Sequence, residues 1–88
     1  MKLKNDMRRF HRFFEREGVA HHWTDRRSSR AKHGDEPQES RFWITVAQAH
    51  YCFDKDMMFI GTLWDDMGCF DKKVEPNDRA GKPLGEQP

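Results

Sequence analysis

The stretch that most constrains the fold is residues 41–66, RFWITVAQAHYCFDKDMMFIGTLWDD, which holds most of the apolar bulk of an otherwise charged chain. Asp54-Lys55-Asp56 divides it into two arms that read as antiparallel strands. Folding Phe53 onto Met57 sets a register in which Tyr51 meets Phe59, Ala49 meets Gly61 and Ala47 meets Leu63. Side chains alternate along a strand, so these residues share one apolar face. The other face carries Val46, Gln48, His50 and Cys52 opposite Met58, Ile60, Thr62 and Trp64, a mixed set. One oily and one mixed face predict an antiparallel sheet covered on one side only. Phe42, Val46, Ala49 and Phe53 also fall at helical spacing. The run Trp43-Ile44-Thr45-Val46 is nevertheless aromatic and β-branched, and the second arm has no helical stripe, so strands fit both arms.

The oily face needs a cover, and the N-terminal segment supplies one. Asn5 or Asp6 can cap a helix that Gly18 ends in a left-handed conformation. Leu3, Met7, Phe10 and Phe14 form an apolar stripe along it, with Phe13 beside them. Arg8, Arg12 and Arg16 form a second row at i, i+4 and i+8. The Phe stripe is expected to pack on the hairpin, burying Phe10, Phe14, Tyr51, Phe53, Phe59 and Leu63 together and leaving the arginines in solvent. Val19–Arg26 reads as a third strand with Val19, His21 and Trp23 on one face. Residues 27–40, RSSRAKHGDEPQES, contain nothing apolar larger than Ala31 and read as a mobile loop without core residues. Residues 74–88 carry Pro76, Pro83, Pro88, Gly81 and Gly85 and read as a disordered tail. The predicted architecture is a single α+β domain over 1–73, its N-terminal helix packed on a small antiparallel sheet built around the 41–66 hairpin.

Function is less legible than fold. The net charge of +1 conceals a sign split: residues 1–33 carry ten Lys/Arg against four Asp/Glu, and residues 34–88 six against eleven. Such a split points to an anionic partner for the basic half, or to attraction between the halves within one molecule. Arg8, Arg12 and Arg16 on the helix, with Arg26, Arg27, Arg30 and Lys32 in the loop, make a candidate phosphate-binding set, and Trp23 is placed to stack on a base. The bland alternative is a solvated helix face plus a soluble loop.

Metal and acid–base chemistry have weaker signals. His21, His22, His33, His50, Cys52 and Cys69 are suitable ligand types, yet no Cys-x-x-Cys pair and no helical His-x-x-x-His occurs. No metal or other cofactor is therefore expected. Asp54, Asp56, Asp65 and Asp66 read as turn residues, because nothing near them defines a nucleophile or base. Two cysteines allow one disulfide at most. With no signal-like or membrane-length apolar run, the thiols read as reduced, Cys52 as a small buried hydrophobe, and the compartment as cytoplasmic.

The helix segment MRRFHRFFEREG, the following AHHW and the arm FWITVAQAHYCF together resemble, across residues 1–73, small accessory proteins of T7-like bacteriophages. The resemblance implies a protein of the infected host's bacterial cytoplasm that binds nucleic acid or a host factor rather than performing catalysis. It assigns no site residues. Three readings follow in order. The first is a non-enzymatic module that binds DNA or RNA through its basic half. The second is a protein-binding inhibitor of a host enzyme, acting through its acidic half or through a sheet face bearing Met58, Ile60 and Trp64. The third is a metal-dependent nuclease. None of them involves a membrane.

Overall fold

The computed structural model describes residues 3, 5–28, 36–65 and 69–72. The expected tail at 74–88, and Arg30 and Lys32 of the expected phosphate-binding set, lie outside the described residues. One helix, α1 (Asn5–Glu17), packs on an antiparallel sheet of β1 (His22–Asp25), β2 (Phe42–Val46), β3 (Ala49–Phe53), β4 (Phe59–Trp64) and β5 (Cys69–Lys72). The strands are ordered in space as they are in sequence. The α+β class, the covering helix and a strand near 19–26 are as the sequence predicts.

Helix α1 ends as its sequence dictates. Gly18 takes a left-handed φ of 68°. Its N–H donates to the Glu15 carbonyl at 3.2 Å, and the Val19 N–H donates to the Phe14 carbonyl at 2.9 Å. Together these close a Schellman motif that satisfies two otherwise orphaned carbonyls and turns the chain sharply back. At the other end, the Met7 N–H donates to the Met57 carbonyl at 3.3 Å. The Asp6 carboxylate accepts the Phe59 N–H at 2.8 Å. The first turn of the helix is thereby fastened to the start of β4.

The sheet differs from expectation in register. Residues 41–53 do not form one arm: Ala47-Gln48 is a tight turn, so β2 pairs with β3 from Phe42↔Phe53 to Val46↔Ala49. Ala47 sits at φ 51°, a conformation that tight hairpin turns require and that Gly or Asn usually supplies. The second hairpin closes over Lys55, Asp56 and Met57, with Met57 at φ 64°. Asp54 Oδ1 accepts the N–H groups of Asp56 and Met58 at 2.8 and 3.0 Å, fixing that turn. β3 then pairs with β4 as Tyr51↔Thr62 and Ala49↔Trp64, with a register shift at Cys52/Phe53. The shift leaves Ile60 as an extra residue in β4, so that Phe59 opposes Phe53 and Gly61 opposes Cys52. Gly61, at φ 152°, provides the backbone freedom that the bulge needs.

The consequence is two apolar faces rather than one. Met7, Phe10, Phe13 and Phe14 pack with Phe42, Ile44, Ala49, Tyr51, Phe53, Met57, Phe59 and Trp64 on the helix side. Leu63, expected in that cluster, faces the opposite way and packs with Trp43 and Cys52. Its strand neighbour Trp64 is buried under the helix side, so the expected exposed set of Met58, Ile60 and Trp64 is not assembled. A one-residue change of register exchanges the faces of every side chain beyond it in a strand, so the extra residue at Ile60 moves both Leu63 and Trp64.

Candidate functional site

The second sheet face is covered by the connection between β1 and β2. Arg26 opens a short 3-10 turn, Arg26–Ser28, and its N–H donates to the Arg41 carbonyl at 2.7 Å. The Arg26 guanidinium grips the Glu36 carboxylate through both oxygens, Nε to Oε1 at 2.8 Å and the terminal nitrogen to Oε2 at 2.9 Å. The two side chains are only 6% and 5% exposed. The same guanidinium lies 3.8 Å from the centre of the Trp43 ring. His50 stacks at 4.4 Å from Trp43, and the Trp43 indole N–H donates to Ser40 Oγ at 2.9 Å. The Glu36 hydrogen bonds hold the Arg26 charge in place, raising its pKa further against the effect of burial. Arg26 is thus consumed by the fold. Toward its C-terminal end the 27–40 segment is fixed in place, with Glu36 held by Arg26 and Ser40 by Trp43, although none of its described residues joins either core cluster. The opposite charges of the two halves meet here, inside one molecule.

Beneath this lid, Cys52 is a free thiol. Burial pushes its pKa up to about 12, and its S–H donates to the His50 carbonyl at 3.4 Å. The neutral thiol is the form the fold favours. Stability is therefore expected to be unaffected by this group below the ordinary thiol value of about 8.5 and to fall as pH rises from there toward 12. In the native protein, peptide mapping should find Cys52 unmodified by iodoacetamide at mildly alkaline pH and modified once urea is added. Rapid native labelling of Cys52 contradicts the buried assignment.

The other arginines have different fates. Arg8 and Arg12 are exposed on α1, and among the described residues neither has an ion-pair or hydrogen-bond partner. Arg16 extends the row, with Nε 3.6 Å from Glu17 and its guanidinium over the Phe13 ring at 5.6 Å. Arg9 is tied to Asp6 at 3.2 Å. Arg27 is exposed and bonds Asp25, which also accepts from Arg41 Nε at 3.2 Å. Desolvation raises the Asp25 carboxyl, but the Arg27 backbone and side-chain bonds and the Arg41 bond outweigh it and hold the pKa below the ordinary value. Trp23, 44% exposed, is opposite Ile44 in the β1–β2 register. Ile44 belongs to the helix-side cluster. The exposed indole and the arginine-bearing helix therefore lie on the same side of the sheet.

Of the expected turn carboxylates, Asp54, Asp56 and Asp65 lie in or beside turns, and Asp66 lies outside the described residues. Asp54 caps its own hairpin. Asp65 accepts from His50 Nε2 at 2.9 Å, while His50 Nδ1 bonds Thr45 Oγ1 at 2.9 Å. This chain of hydroxyl, ring and carboxylate clasps β2, β3 and the end of β4. Among the described residues, the ligand-type side chains that converge are a set the sequence reading did not single out: His11, Glu15 and His21. The signal for them was the i, i+4 spacing of His11 and Glu15 on a helix stopped by Gly18, with a histidine three residues beyond.

No protein-family model matches the chain, and no curated protein or solved structure matches it either. No helix among the described residues is long and apolar enough to cross a membrane.

Proposed function

We propose that the protein is a non-enzymatic nucleic-acid-binding module that meets the phosphate backbone with the solvent face of α1. The supporting observation is the row Arg8, Arg12 and Arg16, on the same side of the sheet as the exposed Trp23. Helical rise spaces successive members of the row about 6 Å apart along the axis, a ladder of cations that a strand of phosphates can follow. Arg27, in the 3-10 turn after β1, is a further candidate contact. Arg26 is not, because Glu36 and Trp43 already hold it. Trp23 favours single strands, whose unpaired bases are free to stack on an indole. Such contacts carry little base-edge information, so weak sequence preference is expected. A T7-like phage origin and a bacterial host cytoplasm are compatible with this reading and form part of the proposal.

Titration of a labelled single strand and a labelled duplex against salt tests it. About three phosphate contacts give a log–log slope near −2 for the single strand and near −3 for the duplex. Affinity should then fall roughly 20- to 40-fold between about 50 and 200 mM salt. Joint replacement Arg8→Ala and Arg12→Ala should reduce the slope by about 1.5 without unfolding the protein. Trp23→Ala should weaken single-strand binding by about 1–3 kcal/mol and leave the duplex nearly unchanged. A folded wild-type protein that binds neither probe at low salt refutes the proposal and leaves a host protein as the partner class.

A further inference from the structure

The Schellman turn at Gly18 folds the chain back so that His21 returns to the side of α1, against His11 and Glu15. Its ring packs on Phe14 with centroids 5.4 Å apart, and its side chain is only 11% exposed. His21 Nδ1 lies 2.8 Å from the Val19 carbonyl. A carbonyl only accepts, so Nδ1 carries the proton and the Nε2 lone pair is left facing inward. His11 Nδ1 lies 3.0 Å from that Nε2. Glu15 Oε1 lies 4.0 Å from His21 Nε2 and 3.6 Å from His11 Nε2. Three donor atoms thus gather within 4.8 Å of one another, two on one helix face and one fixed by the turn.

We propose that His11, Glu15 and His21 form a binding site for a single divalent transition ion of the zinc type. Ligand bonds of about 2.0–2.2 Å in a tetrahedron place donors about 3.4 Å apart. His11 can offer one nitrogen at a time: its Nδ1 lies 3.0 Å from His21 Nε2, its Nε2 lies 3.6 Å from Glu15 Oε1, and Glu15 Oε1 lies 4.0 Å from His21 Nε2. One donor from each residue falls within 4.8 Å of the others, so rotation of the His11 and Glu15 side chains can bring the three toward the tetrahedral spacing. Two imidazoles and a carboxylate suit zinc, cobalt or nickel, whereas magnesium and calcium require oxygen ligands. The Val19 carbonyl performs the task that ligating histidines commonly assign to an outer partner: it fixes the tautomer and the ring direction. Glu15 is 63% exposed, so the fourth position opens to solvent. The site is independent of the nucleic-acid reading, since Arg8 and Arg12 contribute nothing to it.

The test is titration of the full-length, metal-stripped chain with Co(II) alone, followed by visible absorption, and with Zn(II) alone by calorimetry. The expected result is one ion per chain with the intense Co(II) bands of a four-coordinate site. His11→Ala and His21→Ala should each weaken Zn(II) binding by at least about tenfold, while Glu15→Gln keeps weaker binding. Arg8→Ala with Arg12→Ala, and His22→Ala, should bind as the wild type does. Circular dichroism separates loss of binding from loss of fold, and the half-exposed His11 provides the variant least able to disturb packing. Wild-type protein that binds no Co(II), or a folded His11→Ala/His21→Ala double variant that binds it undiminished, overturns the site.

Discussion

Arg26→Ala is expected to destabilise the protein by about 3–5 kcal/mol, measured as a fall in the urea midpoint. The domain's whole stability is on the order of 5–10 kcal/mol, so the loss takes about a third or more of it. The effect arises less from the lost ion pair than from what remains. Glu36, 5% exposed, would keep its charge without the guanidinium that satisfies both its oxygens. Trp43 would lose the cation stacked at 3.8 Å. Glu36→Gln should cost less, since it removes the charge but keeps the shape. Replacing both partners at once, Arg26→Met with Glu36→Leu, should recover most of the loss, because a buried pair repays its desolvation only narrowly. A midpoint for Arg26→Ala indistinguishable from the wild type would show that the pair is solvated and that this lid is not part of the fold.

Phe10→Ala is the second large expectation, again about 3–5 kcal/mol. Phe10 is fully buried. Its ring lies 4.8 Å from Phe59, 5.0 Å from Phe53 and 5.6 Å from Tyr51, centroid to centroid. It is the side chain by which α1 reaches both β3 and β4. Aromatic neighbours of that size cannot collapse into the space left behind, so the cavity adds to the lost transfer energy. Arg12→Ala, two residues along on the solvent face, should change stability by less than about 0.5 kcal/mol. Alanine is the best helix former, so neither variant loses helix propensity and the difference between them reports the helix–sheet contact. Equal midpoints for the two variants would contradict the packing described.

The parts of the molecule that were legible in the sequence are those specified by local chemistry. The Phe10 and Phe14 stripe announced the buried face of α1, Gly18 announced its end, and the aromatic run of β2 announced a strand. The missed parts depend on features that have no local signature. Ala47-Gln48 contains none of Gly, Pro, Asn or Asp, so nothing marked a turn there. The left-handed φ at Ala47 is imposed by the pairing of β2 with β3, an instance of tertiary context overriding propensity. The bulge at Ile60 looks like uninterrupted strand until its partner is known. Proximity in sequence groups Arg26 with Arg27, but one is clamped by Glu36 and the other is exposed beside Asp25. Charge composition cannot distinguish a cation that awaits a phosphate from one already neutralised by a carboxylate ten residues away. The histidine cluster was missed for a related reason: His11 and His21 meet only after the Schellman turn reverses the chain.

The sequential order of the strands has a kinetic meaning. β2, β3 and β4 are joined by two tight hairpins, whose formation takes about 1–10 μs in isolated segments. Closing β1 onto β2 is a different event, because residues 26–41 separate them. The entropy of that closure grows only slowly with length, but it must be met before the β1–β2 register forms. The clamp between Arg26 and Glu36 joins two points near the ends of this same connection. Formed early, it shortens the open loop before β1 docks; formed late, it acts as a latch that slows unfolding.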